Sequence, residues 1–317
     1  MTPLPHSLCE LLADRLDYAG LFPPAGLPME SAFRNYAAYQ RHEHSWLLGR
    51  FVCPAGRLTE LGGLVAQWPE ESPLRLSVVG HPMKDPDYRP RVAADLELLR
   101  SFQVQHRQRV QIETFETSLA PLIALLNESG VTILLQGLRK QFVSADLSRL
   151  TVFLEFLLAP NVAVWARACK SASDVDLQFG LKFRFSGVEV TVIPASGEVA
   201  RMIAACRDAG CVWKATAGLH QPMSARDDIG HTRSFGFVSL FAAATLAEVH
   251  KLPQPQIDEI LQESSAENLR FHVTNFAWRE ISASNSQIAA ARQRGPLSFG
   301  SCSFEEPIAG LIDFATA

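Results

Sequence analysis

Lysine is scarce in this sequence. Only six of its 29 basic residues are lysines, and the remaining 23 are arginines. Acidic residues number 33, so the net charge is −4 and there is no basic excess. A protein without such an excess is not expected to bind nucleic acid through bulk electrostatic attraction. Two of the lysines nevertheless lie inside apolar segments, where an isolated charge would be costly.

Segments that define several other protein classes are also missing. No apolar run reaches the roughly 18 residues of a transmembrane helix, and the N-terminus lacks the basic-then-apolar order of a signal peptide. Six cysteines occur without a CxxC pair, so neither a zinc site nor a disulfide framework is expected. The sequence therefore predicts a cytoplasmic protein that does not associate with membranes and needs no metal or cofactor.

From Phe51 onward, short apolar strands alternate with amphipathic helices, which indicates a parallel sheet buried on both faces. The eight predicted strands are RFVCP, LRLSVVG, VQIETFE, VTILLQG, TVFLEFLL, FGLKFRF, CVWKATAG and LSFGSCSF. Eight such repeats over about 250 residues fit an α/β fold of the (β/α)8 TIM-barrel type. A doubly wound open sheet is the rival, and a G-x-G-x-x-G turn after the first strand would favour it. No such turn is present.

Two segments lie outside this repeat. Residues 1–48 are predicted as an N-terminal helical segment, and residues 49–317 as the barrel. Within residues 1–48, DYAGLFPPA is expected to pack over one end of the barrel, and no motif supports a site role for its Asp17. An insertion at about 219–296 is predicted to hold two helices and an extended piece, RFHVTNFAW. Its helix FGFVSLFAAATLAEVH is apolar enough for a contact in a homo-oligomer, and equally for burial within one chain.

Active sites of such barrels lie at the carboxyl ends of the strands, so polar residues inside the strands are the candidates. They are Glu113, Gln136, Glu155, Lys182, Arg184 and Lys214. Because strand side chains alternate, Lys182 and Arg184 point the same way, toward the barrel axis. Counting the charged candidates, two lysines and one arginine face two glutamates. The surplus positive charge predicts a small anionic substrate, a phosphate or a carboxylate.

Two lysines on adjacent strands suit one chemistry in particular. The ordinary lysine pKa is near 10.4, and both desolvation and a neighbouring cation lower it. A lysine that is neutral at working pH can attack a carbonyl group and form a Schiff base. On this hypothesis Lys182 or Lys214 is the nucleophile, the other lysine lowers its pKa, and Glu113 relays protons.

Three short motifs extend this idea. KFRFSG contains Lys182 and Gly187, KATAG contains Lys214 and Gly218, and FGSCS supplies Gly300 and Ser301 together with Ser303. In order and type they resemble late-strand motifs of class I aldolases of the deoxyribose-phosphate aldolase type. The segments DYAGLFPPA and KATAGLH also resemble an uncharacterised bacterial family, a similarity that implies no function.

The aldolase resemblance implies a (β/α)8 barrel with a Schiff-base lysine on the sixth strand and a second lysine on the seventh. It also implies a catalytic carboxylate on an earlier strand, for which Glu113 is the candidate, and a phosphate-holding turn at Gly300 and Ser301. It covers some twenty residues. Arg184, the insertion after Lys214 and the missing glycine pair in KATAG depart from the pattern.

Other polar residues follow the predicted strands. His220 is an auxiliary acid–base candidate and clusters with Asp227, Asp228 and His231. His81, with Lys84 and Asp85, follows the second predicted strand and is a further candidate to line the barrel mouth.

The sequence thus predicts a lyase of the aldolase type in which Lys182, Lys214, Glu113 and His220 act on the substrate. Arg184, Glu155, Gln136, Gly300 and Ser301 are the predicted binding residues. One alternative is metal-dependent enolisation through Glu113 and Glu155. Gln136 on the strand between them does not fit such a site, because a hard cation prefers carboxylates to an amide. Another is a non-catalytic barrel that binds an anion or a partner protein.

Overall fold

The structure is a computed structural model of the chain. It describes residues 4–83, 87–118, 126–147, 149–156, 161–185, 193–226 and 232–316. The strands in these ranges are β1 (Leu16–Tyr18), β2 (Leu48–Pro54), β3 (Leu74–Val79), β4 (Val110–Ser118), β5 (Leu150–Phe156), β6 (Leu177–Arg184), β7 (Trp213–Thr216), β8 (Ala225–Arg226), β9 (Thr232–Ser234), β10 (Leu269–Phe271), β11 (Asn275–Trp278), β12 (Ile281–Ser284) and β13 (Pro296–Ser301). The α-helices are α1 (His6–Leu12), α2 (Met29–Tyr39), α3 (Leu58–Val65), α4 (Arg89–His106), α5 (Glu128–Ser144), α6 (Val162–Ala172), α7 (Ser196–Ala209), α8 (Phe237–His250), α9 (Gln254–Leu261), α10 (Asn285–Ala291) and α11 (Glu305–Thr316).

Eight parallel strands close into a barrel in the order β1-β13-β7-β6-β5-β4-β3-β2. Each barrel strand is followed along the chain by a helix, from β1 and α2 to β13 and α11. The predicted (β/α)8 barrel is therefore confirmed. On neighbouring strands of the barrel, the rings of Phe183 and Trp213 pack against each other, with centroids 6.2 Å apart.

One predicted strand is wrong. The segment VTILLQG lies within α5, whose first turn is capped by the side chain of Asn127, which accepts a hydrogen bond from the Gly130 N–H. The buried residues of α5 follow a spacing of three and four: Val131, Leu134, Leu135, Leu138 and Phe142. This helical period overrides the local run of apolar residues that favoured a strand.

The missing eighth strand comes from the N-terminal segment. β1 pairs with β13 on one side and β2 on the other, so that Tyr18 lies opposite Ser301 and Phe51. The prediction that residues 1–48 are helical and lie outside the barrel is therefore wrong for Leu16–Tyr18. All three residues of β1 are buried, and a strand of three residues is too short to show a period of two.

The segment between β7 and β13 contains the two predicted helices, α8 and α9. The predicted extended piece RFHVTNFAW contributes β10 and β11 to an antiparallel sheet with β12. The helix α10 was not predicted. Every residue of α8 from Phe237 to Ala247 is buried within the single chain, so burial within one chain explains its apolar sequence.

Among the described residues, no helix is both long enough and apolar enough to span a membrane.

Candidate functional site

Two lysines lie side by side inside the barrel. Lys182 on β6 and Lys214 on β7 are register partners on neighbouring strands. Their side chains are 8% and 1% exposed. A buried ammonium group needs a charged partner, and each lysine has two.

Glu116 on β4 connects the two lysines. Nζ of Lys182 donates to its Oε2 at 2.8 Å, and Nζ of Lys214 donates to its Oε1 at 2.6 Å. The hydroxyl of Ser77 also donates to Oε1 and in turn accepts from the hydroxyl of Thr114. A shared carboxylate therefore lies between the two amines and offsets the repulsion between them.

Asp17 on β1 binds Lys214 from the other side. Its Oδ2 accepts from Nζ of Lys214 at 2.7 Å and from the hydroxyl of Ser298 at 2.6 Å. Its Oδ1 accepts from the backbone N–H of Arg50 at 3.0 Å and from the guanidinium at 3.3 Å. A Cβ on Gly49 would lie 2.7 Å from Oδ1. A glycine at position 49 therefore permits this close approach.

Glu155 on β5 and Arg184 on β6 form the outer end of the cluster, toward the carboxyl ends of the strands. Nζ of Lys182 lies 2.8 Å from Oε2 of Glu155. The guanidinium of Arg184 reaches Oε1 of Glu155 through Nε at 3.4 Å and Nη2 at 3.5 Å. These side chains are 13% and 28% exposed, so this end of the cluster is accessible from the mouth of the barrel.

Positive and negative groups alternate along this set of side chains, which we call the charge row. Its members are Arg50, Asp17, Lys214, Glu116, Lys182, Glu155 and Arg184. Each carboxylate in the row lies between two cations. Burial of so many charges is tolerable because every one has an opposite neighbour at hydrogen-bonding or near-hydrogen-bonding distance.

The ion pairs set the pKa values of the row. Burial raises the pKa of Glu116, but Lys182 and Lys214 outweigh burial and hold it well below its usual range. The pKa values of Asp17 and Glu155 are lowered in the same way by their cations, against burial. Burial lowers the pKa of Lys182, but Glu116 and Glu155 outweigh it and the pKa is raised. Lys182 is therefore charged at neutral pH, contrary to the expectation of a lowered pKa.

Three further charges extend the row at the amino ends of the strands. Arg50 and Arg75 both bind the Glu113 carboxylate, through Nε of each at 2.8 and 2.7 Å, and Arg75 also binds Asp14 at 3.0 Å. With these included, the described network holds five cations and five carboxylates. The surplus positive charge expected from the sequence is therefore compensated.

The structure brings together four of the residues that the sequence singled out: Lys182, Lys214, Glu155 and Arg184. Glu113 is not beside the lysines, because it binds the two arginines at the other end of the barrel. The carboxylate between the lysines is that of Glu116, three residues later on the same strand. The assignment of Glu113 as the proton relay is corrected accordingly.

Gln136 lies on the exposed face of α5 and not on a barrel strand. Glu113 and Glu155, the two residues of the metal-dependent alternative, do not converge either, because Glu113 binds Arg50 and Arg75 whereas Glu155 binds Lys182. In the part of the chain that the structure describes, no group of three or more His, Cys, Asp or Glu residues is arranged to hold a metal ion.

The remaining predicted site residues lie at the carboxyl ends of β7 and β13. His220 pairs through Nδ1 with Oε2 of Glu306 at 3.0 Å, and both side chains are partly exposed. Gly300 lies opposite Thr216 in the barrel register. The hydroxyl of Ser301 donates to the carbonyl of Ser303 at 2.6 Å. Several other predicted residues, Lys84, Asp85, Gly187, Asp227, Asp228 and His231, lie outside the described residues.

No protein-family model matches the sequence, and no match is found among curated proteins.

Proposed function

We propose that the chain is a lyase of the class I aldolase type, in which the amine of Lys182 forms a Schiff base with a small carbonyl compound. A (β/α)8 barrel is compatible with an enzyme, and the carboxyl ends of its strands are where such barrels bind substrates. The observation that carries the proposal is the position of Lys182. It is a buried lysine, held between two carboxylates, at the outer and partly accessible side of the charge row.

Lys182 is a better nucleophile candidate than Lys214. The Lys214 side chain is 1% exposed and its Nζ lies between Asp17 and Glu116. Lys182 is 8% exposed, and one of its two partners, Glu155, is 13% exposed. A small substrate entering from the mouth would meet the Lys182 amine first, and Lys214 would hold Glu116 in place.

The charge row is compatible with imine formation, because the charge on the lysine nitrogen is the same before and after the reaction. A charged lysine and a carbonyl compound give a protonated imine and one water molecule, so the nitrogen carries one positive charge before and after the reaction. Glu116 and Glu155, which bind the ammonium group, are placed to stabilise the protonated imine as well. The site is thus preorganised for a cation at this nitrogen in both states.

Attack on the carbonyl requires the amine to lose a proton for a time. Glu155 is the suitable acceptor, because it contacts Nζ of Lys182 directly and is partly exposed. The same carboxyl group can return the proton to the departing oxygen when water is lost. Because the pKa of Lys182 is raised, the neutral amine is a minor species at neutral pH, and imine formation is expected to accelerate with rising pH.

The strand positions agree with what the aldolase resemblance implies. Counted around the barrel in chain order, Lys182 lies on the sixth strand, Lys214 on the seventh and Glu116 on the fourth. Glu116 replaces Glu113 as the carboxylate on an earlier strand. This agreement supports the proposal but is limited to these strands.

Arg184 is the proposed anchor for the substrate's anionic group. The described contacts of its guanidinium use Nε and Nη2 on a single carboxylate oxygen at 3.4 and 3.5 Å. The guanidinium keeps donors for a second, planar acceptor. A carboxylate fits this requirement at the partly exposed end of the charge row.

The turn after β13 is less suited to a phosphate. The hydroxyl of Ser301 is used within the turn, and the hydroxyl of Ser303 accepts from the Glu306 N–H at 3.1 Å. Glu305 and Glu306 occupy the first turn of α11, where their negative charges would repel a phosphate. We therefore propose a 2-oxo acid or a related carboxylate-bearing carbonyl compound as the substrate.

Borohydride trapping tests this proposal. The protein is incubated with pyruvate, with glyceraldehyde 3-phosphate or with acetaldehyde, reduced with borohydride, and weighed intact by mass spectrometry. We expect a single adduct with pyruvate, and its loss in Lys182→Ala. Lys251→Ala, which removes an exposed lysine paired with Glu248, is the control and should trap normally.

A second candidate function is a non-catalytic barrel that binds an anion or a partner protein. The complete pairing of the described charges favours it, since such networks also occur as structural ion pairs. It predicts that no adduct forms with any of the three carbonyl compounds.

A further inference from the structure

A histidine–carboxylate pair lies at the carboxyl end of the barrel, outside the charge row. His81 follows β3 by two residues, and its Nδ1 lies 2.6 Å from Oδ1 of Asp95 on α4. Oδ2 of the same carboxylate accepts from the backbone N–H of His81 at 2.8 Å. Both oxygens of Asp95 are therefore directed at one residue.

Asp95 is buried in an apolar surrounding. The inward face of α4 is formed by Val92, Leu96, Leu99 and Phe102, and Asp95 lies among them at 1% exposure. A carboxylate at such a position is costly unless it is well bonded. The two hydrogen bonds to His81 therefore offset the cost of burying the Asp95 carboxylate.

The surrounding residues fix the geometry of the pair. A Cβ on Gly80 would lie 2.8 Å from Oδ2 of Asp95 and 2.3 Å from the ring of Phe115, so a side chain there would displace the carboxylate. The hydroxyl of Thr117 on β4 donates to the carbonyl of His81 at 2.9 Å. The histidine backbone is therefore held from two neighbouring elements.

This arrangement determines where the imidazole carries its hydrogen. An ionised carboxylate can only accept hydrogen bonds, so beside an ionised Asp95 the donor of this bond is Nδ1 of His81. In the neutral ring Nε2 then keeps its lone pair and can act as a base. The His81 side chain is 44% exposed, whereas the Asp95 side chain is 2% exposed, so the ring is accessible while its partner is buried.

Within the charge row, Glu155 is already assigned to the proton of the Lys182 amine, and a proton on the substrate carbon needs a second base. Among the described residues, each of its carboxylates already binds two cations, as Glu155 does with Lys182 and Arg184. His81 lies on the same end of the barrel, and β3 is opposite β7 in the closed order of eight strands. The strand that precedes His81 is thus opposite the strand of Lys214 and three strands away from that of Lys182.

We propose that His81 is the acid–base residue that moves the proton bound to the substrate carbon, with Asp95 as its positioning residue. This inference rests on the Schiff-base function proposed above. In the step, Nε2 of His81 removes a proton from the carbon next to the protonated imine on Lys182. The electrons of the C–H bond form a carbon–carbon double bond, and the C=N electrons return to nitrogen. The products are a neutral enamine and a charged imidazole, and the reverse step returns the proton.

The test compares imine formation with carbon protonation in the same protein. Pyruvate is incubated with the protein in D2O, loss of its methyl hydrogens is followed by proton NMR, and imine formation is measured separately by borohydride trapping. In His81→Asn we expect trapping within about twofold of the unsubstituted protein and exchange slower by at least about 100-fold. His106→Asn, at the far end of α4, is the control and should leave both signals unchanged.

The outcomes separate the two proposals. If the unsubstituted protein does not trap pyruvate, the Schiff-base function is overturned and this inference with it. If trapping occurs but hydrogens do not exchange, or exchange at the same rate in His81→Asn, only the role of His81 is overturned.

The substitution Asp95→Asn tests the positioning role of Asp95 through the tautomer of His81, which would not change if Asp95 only stabilised the fold. Nitrogen-15 NMR of the unsubstituted protein should place the hydrogen of the neutral His81 ring on Nδ1. The substitution should shift it toward Nε2 and slow the exchange. An unchanged tautomer would contradict the positioning role of Asp95.

Discussion

Lys182 and Lys214 are register partners on adjacent strands, yet both ammonium groups bind the carboxylate of Glu116, at 2.8 and 2.6 Å. Proximity of two lysines is usually expected to lower the pKa of each. Here the shared carboxylate reverses the expectation for Lys182, whose pKa is raised by Glu116 and Glu155 despite burial.

Glu116→Gln should destabilise the fold strongly. The substitution removes a buried negative charge from between two buried cations, and breaking such a pair costs about 3–5 kcal/mol. Urea unfolding measures this cost. Glu60→Gln, in the exposed pair with Arg57, is the matched control and should change the free energy of unfolding by no more than about 1 kcal/mol. Equal effects of the two substitutions would mean that the interior pairing contributes little.

Stability should fall on acidification. The pKa values of Asp17, Glu116 and Glu155 are lowered in the folded chain by their cations, against burial. The unfolded chain therefore binds more protons in acid, and the stability from these groups is lost progressively below about pH 5. Urea midpoints measured between pH 3 and pH 8 test this. The acid dependence should be shallower in Glu155→Gln, and an identical slope would refute the assignment for this residue.

Lys182 contributes a pH dependence of stability with the opposite sign, in which stability is lost as the pH rises. Its raised pKa means that the stability it provides is complete below the ordinary lysine value, near 10.4, and is lost as the pH rises through the folded value. The same shift predicts that trapping of pyruvate by cyanoborohydride accelerates from pH 6 to pH 9 without a plateau. N-acetyl-lysine under the same conditions corrects for the reductant. A plateau near pH 7 would indicate a lowered pKa.

The sequence could predict the barrel because eight alternating units are visible in the apolar pattern, but it did so through two errors that cancel. A helical segment, VTILLQG, was counted as a strand, and the three-residue strand Leu16–Tyr18 was missed. Lys182 and Lys214 consequently kept their places on the sixth and seventh strands.

From the sequence, site residues could be predicted only where the alternation of side chains along one strand determines which of them face the inside of the barrel. Lys182 and Arg184 are two residues apart, and both reach Glu155 inside the barrel. Glu113 and Glu116 are three apart, and strict alternation cannot place both inside. Both can face inward because the register with β3 shifts there: Leu76 lies opposite Ile112 and Ser77 opposite Thr114, which leaves Glu113 as an extra residue. Such an irregularity has no clear signal in a single sequence.

Asp17 was missed as a site residue for a different reason. Its role depends on Lys214, which lies 197 residues away in the sequence, and on Ser298 at the other end of the chain. Only closure of the barrel brings these residues together.

Arg184→Gln should weaken binding of a carboxylate-bearing substrate. Loss of a hydrogen bond to a charged group costs about 1.5–3 kcal/mol, so the pyruvate concentration for half-maximal trapping should rise about tenfold or more. Acetaldehyde, which has no anionic group, should trap as before. Arg201→Gln, an exposed arginine near Glu198, is the control for loss of one positive charge. An equal loss with both aldehyde and oxo acid would place Arg184 outside the binding site.

The most direct test of the central claim is to locate the trapped adduct on the chain. After reduction with borohydride in the presence of pyruvate, the protein is digested and its lysine-containing peptides are sequenced by mass spectrometry. The account predicts a modification of Lys182 alone, with Lys214 and the exposed lysines unmodified. Modification of Lys214 in place of Lys182, modification spread over exposed lysines, or no modification at all would contradict it.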